Sequence, residues 1–171
     1  MSRIKWTDRT FDFSFPVELH PEMLERFRGT PARAEYLVRD LPAATLTRRE
    51  GQQWSIQENI GHLLDLEELF RARLDDYDRG LDALRAADMT NQKTHGAQHN
   101  QSSMEKILRA FRQERGKAIE RLEKVEPWYF ARTALHPRLK KPMRVVDMIY
   151  FQSEHDDYHL ARVSELIHLF R

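Results

Sequence analysis

The chain contains no cysteine. That excludes disulfides, thiolate metal sites and a cysteine nucleophile of the protein's own, so any reactive thiol in its chemistry must arrive with a substrate. Net charge is almost absent as well: 28 Lys and Arg face 27 Asp and Glu, leaving +1, and no global field invites nucleic acid or an anionic membrane. Long apolar runs are missing. No window approaches the roughly 18 residues of a membrane span, and the opening MSRIKWTDRTFDF has no apolar stretch of the kind a secretion signal carries. These absences predict a protein that binds neither nucleic acid nor membrane and resides in the cytoplasm. What is present is enough apolar material, 40% of 171 residues, for one domain over residues 1–171 with a substantial core.

Four segments repeat apolar residues at helical spacing. The first, about 21–40, carries Met23, Leu24, Phe27, Ala34, Leu37 and Val38, with Gly29 and Pro31 predicting a kink or short break. The second, about 55–79, opens with Ser55 and Glu58 in capping-box spacing and stops at Gly80. The third, about 102–125, ends before Pro127, and the fourth covers about 145–170. Four helices of this length predict an all-α four-helix bundle. The connection between the second and third, 81–101, is long enough to cross the bundle, and loops of that length are often functional. The stretch before the fourth helix, WYFARTALHPRLKKPM, has room for a small hairpin. Residues 1–16, in which Phe11, Phe13 and Phe15 alternate with period two, read as an extended arm laid on the helices.

His155 and His159 stand one helical turn apart, and the direction midway between them also points through Met148 and Leu166. Both imidazoles therefore fall in the inward stripe of the fourth helix. Gln152 and Arg162 flank that direction by about 40° on either side, while Glu154 and Asp157 face away. Two readings are open for the pair: core histidines satisfied by neighbours, or two ligands of one ion, since four residues of helix rise about 6 Å. Chemistry needs a third ligand. His62 on the second helix offers one, sharing its face with Leu66 and Leu69, and three inward histidines are harder to satisfy without an ion than one. His95 and His99 repeat the spacing, but with Gly96 between them they read as loop residues, or as part of a lid over a pocket. His20 and His136, each before a proline, read as turn residues, and His168 as an exposed residue near a helix C-terminus.

The stretches WSIQENIGHLLDLE, ADMTNQKT with the later HN, HPRL, and EHDDYHLARVSEL together resemble the DinB/YfiT-like metalloprotein superfamily over most of the chain. The resemblance implies a bundle in up-down-down-up order. It also implies a divalent metal held by one histidine of the second helix and two of the fourth, which by motif match are His62, His155 and His159. Better characterised members of that family are bacillithiol or related S-transferases and mycothiol-dependent isomerases, and others are described as metal-dependent hydrolases.

The expected function is thus a divalent-metal-dependent enzyme, with zinc and nickel the leading ions, that uses a low-molecular-weight thiol on an electrophilic substrate. A metal-dependent hydrolase and a non-catalytic metal-binding bundle are the alternatives. Three neutral ligands leave an ion open positions for substrate or water. Glu58 is a candidate for orienting His62 or accepting a proton, set against its capping role. Gln152 and Arg162 are candidates for meeting a polar or carboxylate part of the substrate, set against an ion pair for Arg162. Relatives in that family are often dimers, and the aromatic arm has no obvious place, so a homodimer is the expected assembly.

Overall fold

In the computed structural model, which describes residues 3–171, the first predicted helix is two: α1, His20–Arg28, and α2, Thr30–Val38. Pro31 is the reason. It has no N–H to return to the Phe27 carbonyl one turn back, and the guanidinium of Arg115 donates to that carbonyl instead. A short helix, α3 (Ala43–Thr47), leads into α4, Ile56–Asp78. Ser55 caps α4: its hydroxyl accepts from the Glu58 N–H at 3.1 Å, and the Glu58 carboxylate accepts from the Ser55 N–H at 2.9 Å. After α4 the chain turns at Gly80, whose φ of 63° suits a residue without Cβ. There follow α5 (Gln92–Ala97), α6 (Met104–Leu122), the antiparallel hairpin of β1 (Thr133–His136) with β2 (Lys141–Arg144), and α7 (Val145–Phe170).

Side-chain pairs give the order of the bundle. Along α4 and α6, Gln57 meets the Ser102 carbonyl, Glu67 meets Arg115 and Asp78 meets Arg121, so these helices run parallel. Asn59 meets His159 and Tyr77 meets the Met143 carbonyl, so α7 runs against α4. Arg26 pairs with Glu154, and Arg33 with Asp157, which sets α1 and α2 parallel to α7. The bundle is therefore up-down-down-up. Parallel neighbours cannot be joined by a tight turn, which is why residues 79–103 must travel the length of the bundle. The connection is not an open loop. Leu84 N–H and Leu135 N–H bond it to β1, α5 forms one short helix in it, and His99–Gln101 forms a 3-10 turn, so His95 and His99 are held in helical turns rather than in loop.

The apolar core is in two parts. One, around Phe27, Phe70, Leu74, Ile119 and Ile149, lies toward the hairpin, and the other, around Ile60, Leu63, Phe111, Val163 and Leu166, lies toward the opposite end. Between them α4, α6 and α7 contribute Glu67, Arg115 and Asp156, all at most 1% exposed. Arg115 donates to both carboxylates, at 2.6 and 2.9 Å. A charge this deep is tolerable only when paired.

The N-terminal arm has neither helix nor strand from Phe11 to Phe15 and bends at Phe15, with a 3-10 turn at Trp6–Asp8 ahead of it. Residues 1 and 2 of the expected arm lie outside the described residues. Arg144 fastens it by donating to the Phe13 and Phe15 carbonyls at 2.9 Å each. Phe11 packs on Phe151 and Phe15 on Tyr150 of α7, so the arm has its place on this chain without a second copy. Among the described residues no helix is long and apolar enough to cross a membrane.

Candidate metal centre

Because α4 and α7 are antiparallel neighbours, His62 faces His155 and His159 across the bundle, next to the Glu67–Arg115–Asp156 layer, whose Asp156 stands between the two histidines in the sequence of α7. Each of the three offers a ring nitrogen, and these atoms all lie within 4.8 Å of one another. All three residues are buried. Burial pushes His62 down to about 4, and it holds His155 and His159 well below the ordinary histidine value, with their mutual proximity adding to the effect. At neutral pH all three rings are therefore uncharged, which is the form that binds a metal.

Neighbours decide which nitrogen points inward. The Asn59 amide donates to the Trp54 and Ser55 carbonyls at 3.2 and 2.8 Å, so its oxygen is left to accept from His159 Nδ1–H at 2.9 Å. The lone pair of His159 is then on Nε2, 3.3 Å from His155 Nε2. Ligand nitrogens on a tetrahedral ion with bonds near 2.0–2.1 Å stand about 3.3–3.4 Å apart. His62 Nδ1 lies 2.9 Å from Thr94 Oγ1, and His155 Nδ1 is buried without a partner. These residues fit a divalent ion: three neutral imidazoles converge, two have an outer contact that fixes the ring, and no further His, Asp or Glu among the described residues joins the group.

Thr94 reaches His62 because the long connection is docked on α4. His99 lies flat against Gly61, where a Cβ would come within 2.3 Å of its ring, and its Nε2 bonds Asp65 at 2.8 Å. Gln57 donates to the His99 and Ser102 carbonyls at 2.6 and 2.7 Å. The connection thus supplies a supporting contact to the histidine cluster, and His99 serves as its anchor.

The cluster opens into a cavity of about 440 Å³. Trp6, Trp54 and Phe151 form apolar walls, while Arg73, His136 and Arg138 bring polar groups to it. Gln152 also lines this cavity and donates to Asp156 at 3.2 Å. The other two candidates lie elsewhere. Glu58 is engaged in the Ser55 cap and accepts from Arg49 Nε at 2.8 Å, in a separate cleft beside His95. Burial pushes its carboxyl up, but Arg49 and the Ser55 N–H outweigh that and hold it below the usual carboxylate value. It touches neither His62 nor the cavity. Arg162 lies in a different cleft on the far side of His159 and pairs with Glu50 and Glu165. His136, expected in a turn, closes β1 and is 2% exposed. Thr94, Asn59 and His136 all stand inside the stretches that carried the family resemblance, and that was the only sequence signal for them.

The sequence was compared with curated proteins and no match was found. The fold is similar to that of YfiT from Bacillus subtilis, described as a probable metal-dependent hydrolase with an unusual four-helix bundle topology. The TM-score is 0.78 at 17% identity, over 95% of this chain and 93% of that one. The DinB superfamily model matches residues 26–163, a span that includes His62, His155 and His159, and the chain belongs to that superfamily.

Proposed function

We propose that this protein is a divalent-metal-dependent enzyme whose ion is held by His62, His155 and His159, and that its co-substrate is a low-molecular-weight thiol of the bacillithiol or mycothiol kind used against an electrophile. The observation that carries the reading is the convergence of three neutral imidazoles, two of them held by outer contacts, on an open cavity. A divalent ion there, with zinc and nickel the leading ones among the several that imidazole suits, would supply a Lewis acid that favours the anionic form of a thiol or of water. The chain's own residues do the rest. Asn59 and Thr94 hold the His159 and His62 rings, and Trp54 packs at a tilt against His62 with centroids 4.8 Å apart.

The description of YfiT supports a second reading, metal-dependent hydrolysis. Water attack is helped by a free carboxylate base; Asp65 is committed to His99 and Asp156 to Arg115, and Asp88 on the cavity wall accepts from Thr90 and Gln92 in its own turn. A thiol ionises more readily than water, so it depends less on such a base, and the absence of cysteine is compatible with an external thiol. A homodimer is part of the proposal, its test being sedimentation across micromolar concentrations.

Elemental analysis of protein purified without added metal is expected to find one divalent ion per chain, lost in His155→Ala. A thiol panel against model electrophiles should then give turnover, and a cobalt-substituted sample should gain a sulfur-to-metal charge-transfer band. Metal-loaded protein that shows neither band nor turnover with bacillithiol or mycothiol rejects the thiol, and ester turnover in its place supports the hydrolase.

A further inference from the structure

Two hydrogen-bond donors buried in the cavity have nothing to donate to among the described residues. His136 Nδ1 accepts from the Leu139 N–H at 3.1 Å, so the proton of the neutral ring is on Nε2, and that Nε2 is buried without a partner. Arg138 buries Nη2 without a partner, and its Nη1 reaches only the Thr7 carbonyl, at 3.5 Å. Arg73, 5% exposed on α4, gives Nε to the Arg85 carbonyl at 3.1 Å and lines the same cavity.

Carboxylates nearby are taken. Asp76 is held by Arg85, Asp147 by Arg144, and Asp88 by Thr90 and Gln92 in its own turn. Burial without a counter-ion is costly for a guanidinium, yet the fold keeps Arg73 buried on this cavity, with the partly buried Arg138 on the same wall. They are close together and close to the histidine cluster: after burial, Arg73 and Arg138 are what push His136 down to about 4, and Arg138 also acts on His155.

We propose that this end of the cavity is an anion subsite that receives the carboxylate of a small organic substrate, with Arg73 and Arg138 as its counter-charges and His136 Nε2–H as a third donor. The proposal rests on the metal-dependent reading above and names the substrate class for that site. Planar guanidinium forks and an in-plane ring N–H suit the planar, two-oxygen end of a carboxylate. Trp6 and Phe151, whose ring centroids lie 5.8 and 5.6 Å from the Arg138 guanidinium carbon, give the apolar body of such a molecule a surface to lie on. The carboxylate would sit on the arginines while the reacting part of the substrate faces the histidines.

The test uses benzoate, benzamide and phenyl phosphate as probes, titrated by calorimetry into full-length protein stripped of metal with a chelator. Benzoate is expected to bind at least about 10-fold more tightly than benzamide, and Arg73→Met and Arg138→Met should each weaken benzoate by about 10-fold or more with benzamide unaffected. Arg138 is only partly buried, so its variant decides the matter if Arg73→Met does not fold. Equal binding of benzoate and benzamide, or wild-type benzoate affinity in Arg138→Met, overturns the subsite. Tighter binding of phenyl phosphate than of benzoate overturns the carboxylate assignment. Elemental analysis of wild-type protein tests the metal reading separately, so either idea can fail while the other stands.

Discussion

The Asn59 carboxamide oxygen lies 2.9 Å from His159 Nδ1, so a residue of α4 fixes the tautomer of a histidine on α7. Removing an outer contact of this kind weakens metal binding by about 10–100-fold in comparable sites. Asn59→Leu is expected to do so here, measured by competition with a chromophoric chelator, whereas Asn59→Asp, which keeps an acceptor, should stay near wild type. Equal affinity in Asn59→Leu would mean that His159 is oriented by packing alone.

Gly61→Ala places a methyl group 2.3 Å from the His99 ring. Overpacking costs typically about 1–3 kcal/mol, and the ring can relieve it only by lifting the connection away from α4. The expected result is a lower melting temperature together with weaker metal binding, because Thr94 moves with the connection. A stability loss with unchanged metal affinity would show that Thr94 is not needed to hold His62.

Arg115 joins Glu67, Asp156 and the Phe27 carbonyl. Breaking a buried ion pair from one side costs about 3–5 kcal/mol because the partner charge remains. Arg115→Met should lose on that order by urea denaturation, and adding Glu67→Gln should recover part of it. A loss below about 1 kcal/mol would mean that the layer rehydrates when opened.

Metal-free protein should lose stability as pH falls from about 6.5 toward 4. His62 and His136 are held down to about 4, chiefly by burial, against about 6.5 in an unfolded chain. Between those values the unfolded state binds more protons than the folded one, so unfolding free energy rises with pH and falls on acidification. Each ring contributes on the order of 3 kcal/mol over that window. His136→Asn should flatten the profile of melting temperature against pH between 6.5 and 4, and an unaltered profile would count against a buried neutral His136.

Helix positions and the histidine cluster were legible because both are periodic: an inward stripe every three to four residues identifies a face, and faces that coincide bring His62 to His155 and His159. The capping box at Ser55 was equally plain, and it is what removes Glu58 from the site. Angular position misplaced Arg162, since a long side chain on the rim of a stripe follows its ion partners, here Glu50 and Glu165, away from the cavity. Arg73, His136 and Arg138 have no shared period. They meet only because β1 and its turn fold back beside α4, and Thr94 reaches His62 only because His99 docks on a glycine. Such contacts depend on the crossing of the long connection, which local patterns do not encode.

Trp6 stands against His155 with ring centroids 4.8 Å apart, and that contact sets an order of events during synthesis. The arm leaves the ribosome early, but the helix it leans on is made after every other helix of the bundle, and so are two of the three imidazoles. A nascent chain that stops in the hairpin has His62 and Thr94 but not the two histidines that His62 faces. Closure of this wall spans nearly the whole described chain, at an entropic cost that grows only with the logarithm of that span. The cavity is thus walled by the first and the last elements of the described chain, and it is complete only once α7 has been made.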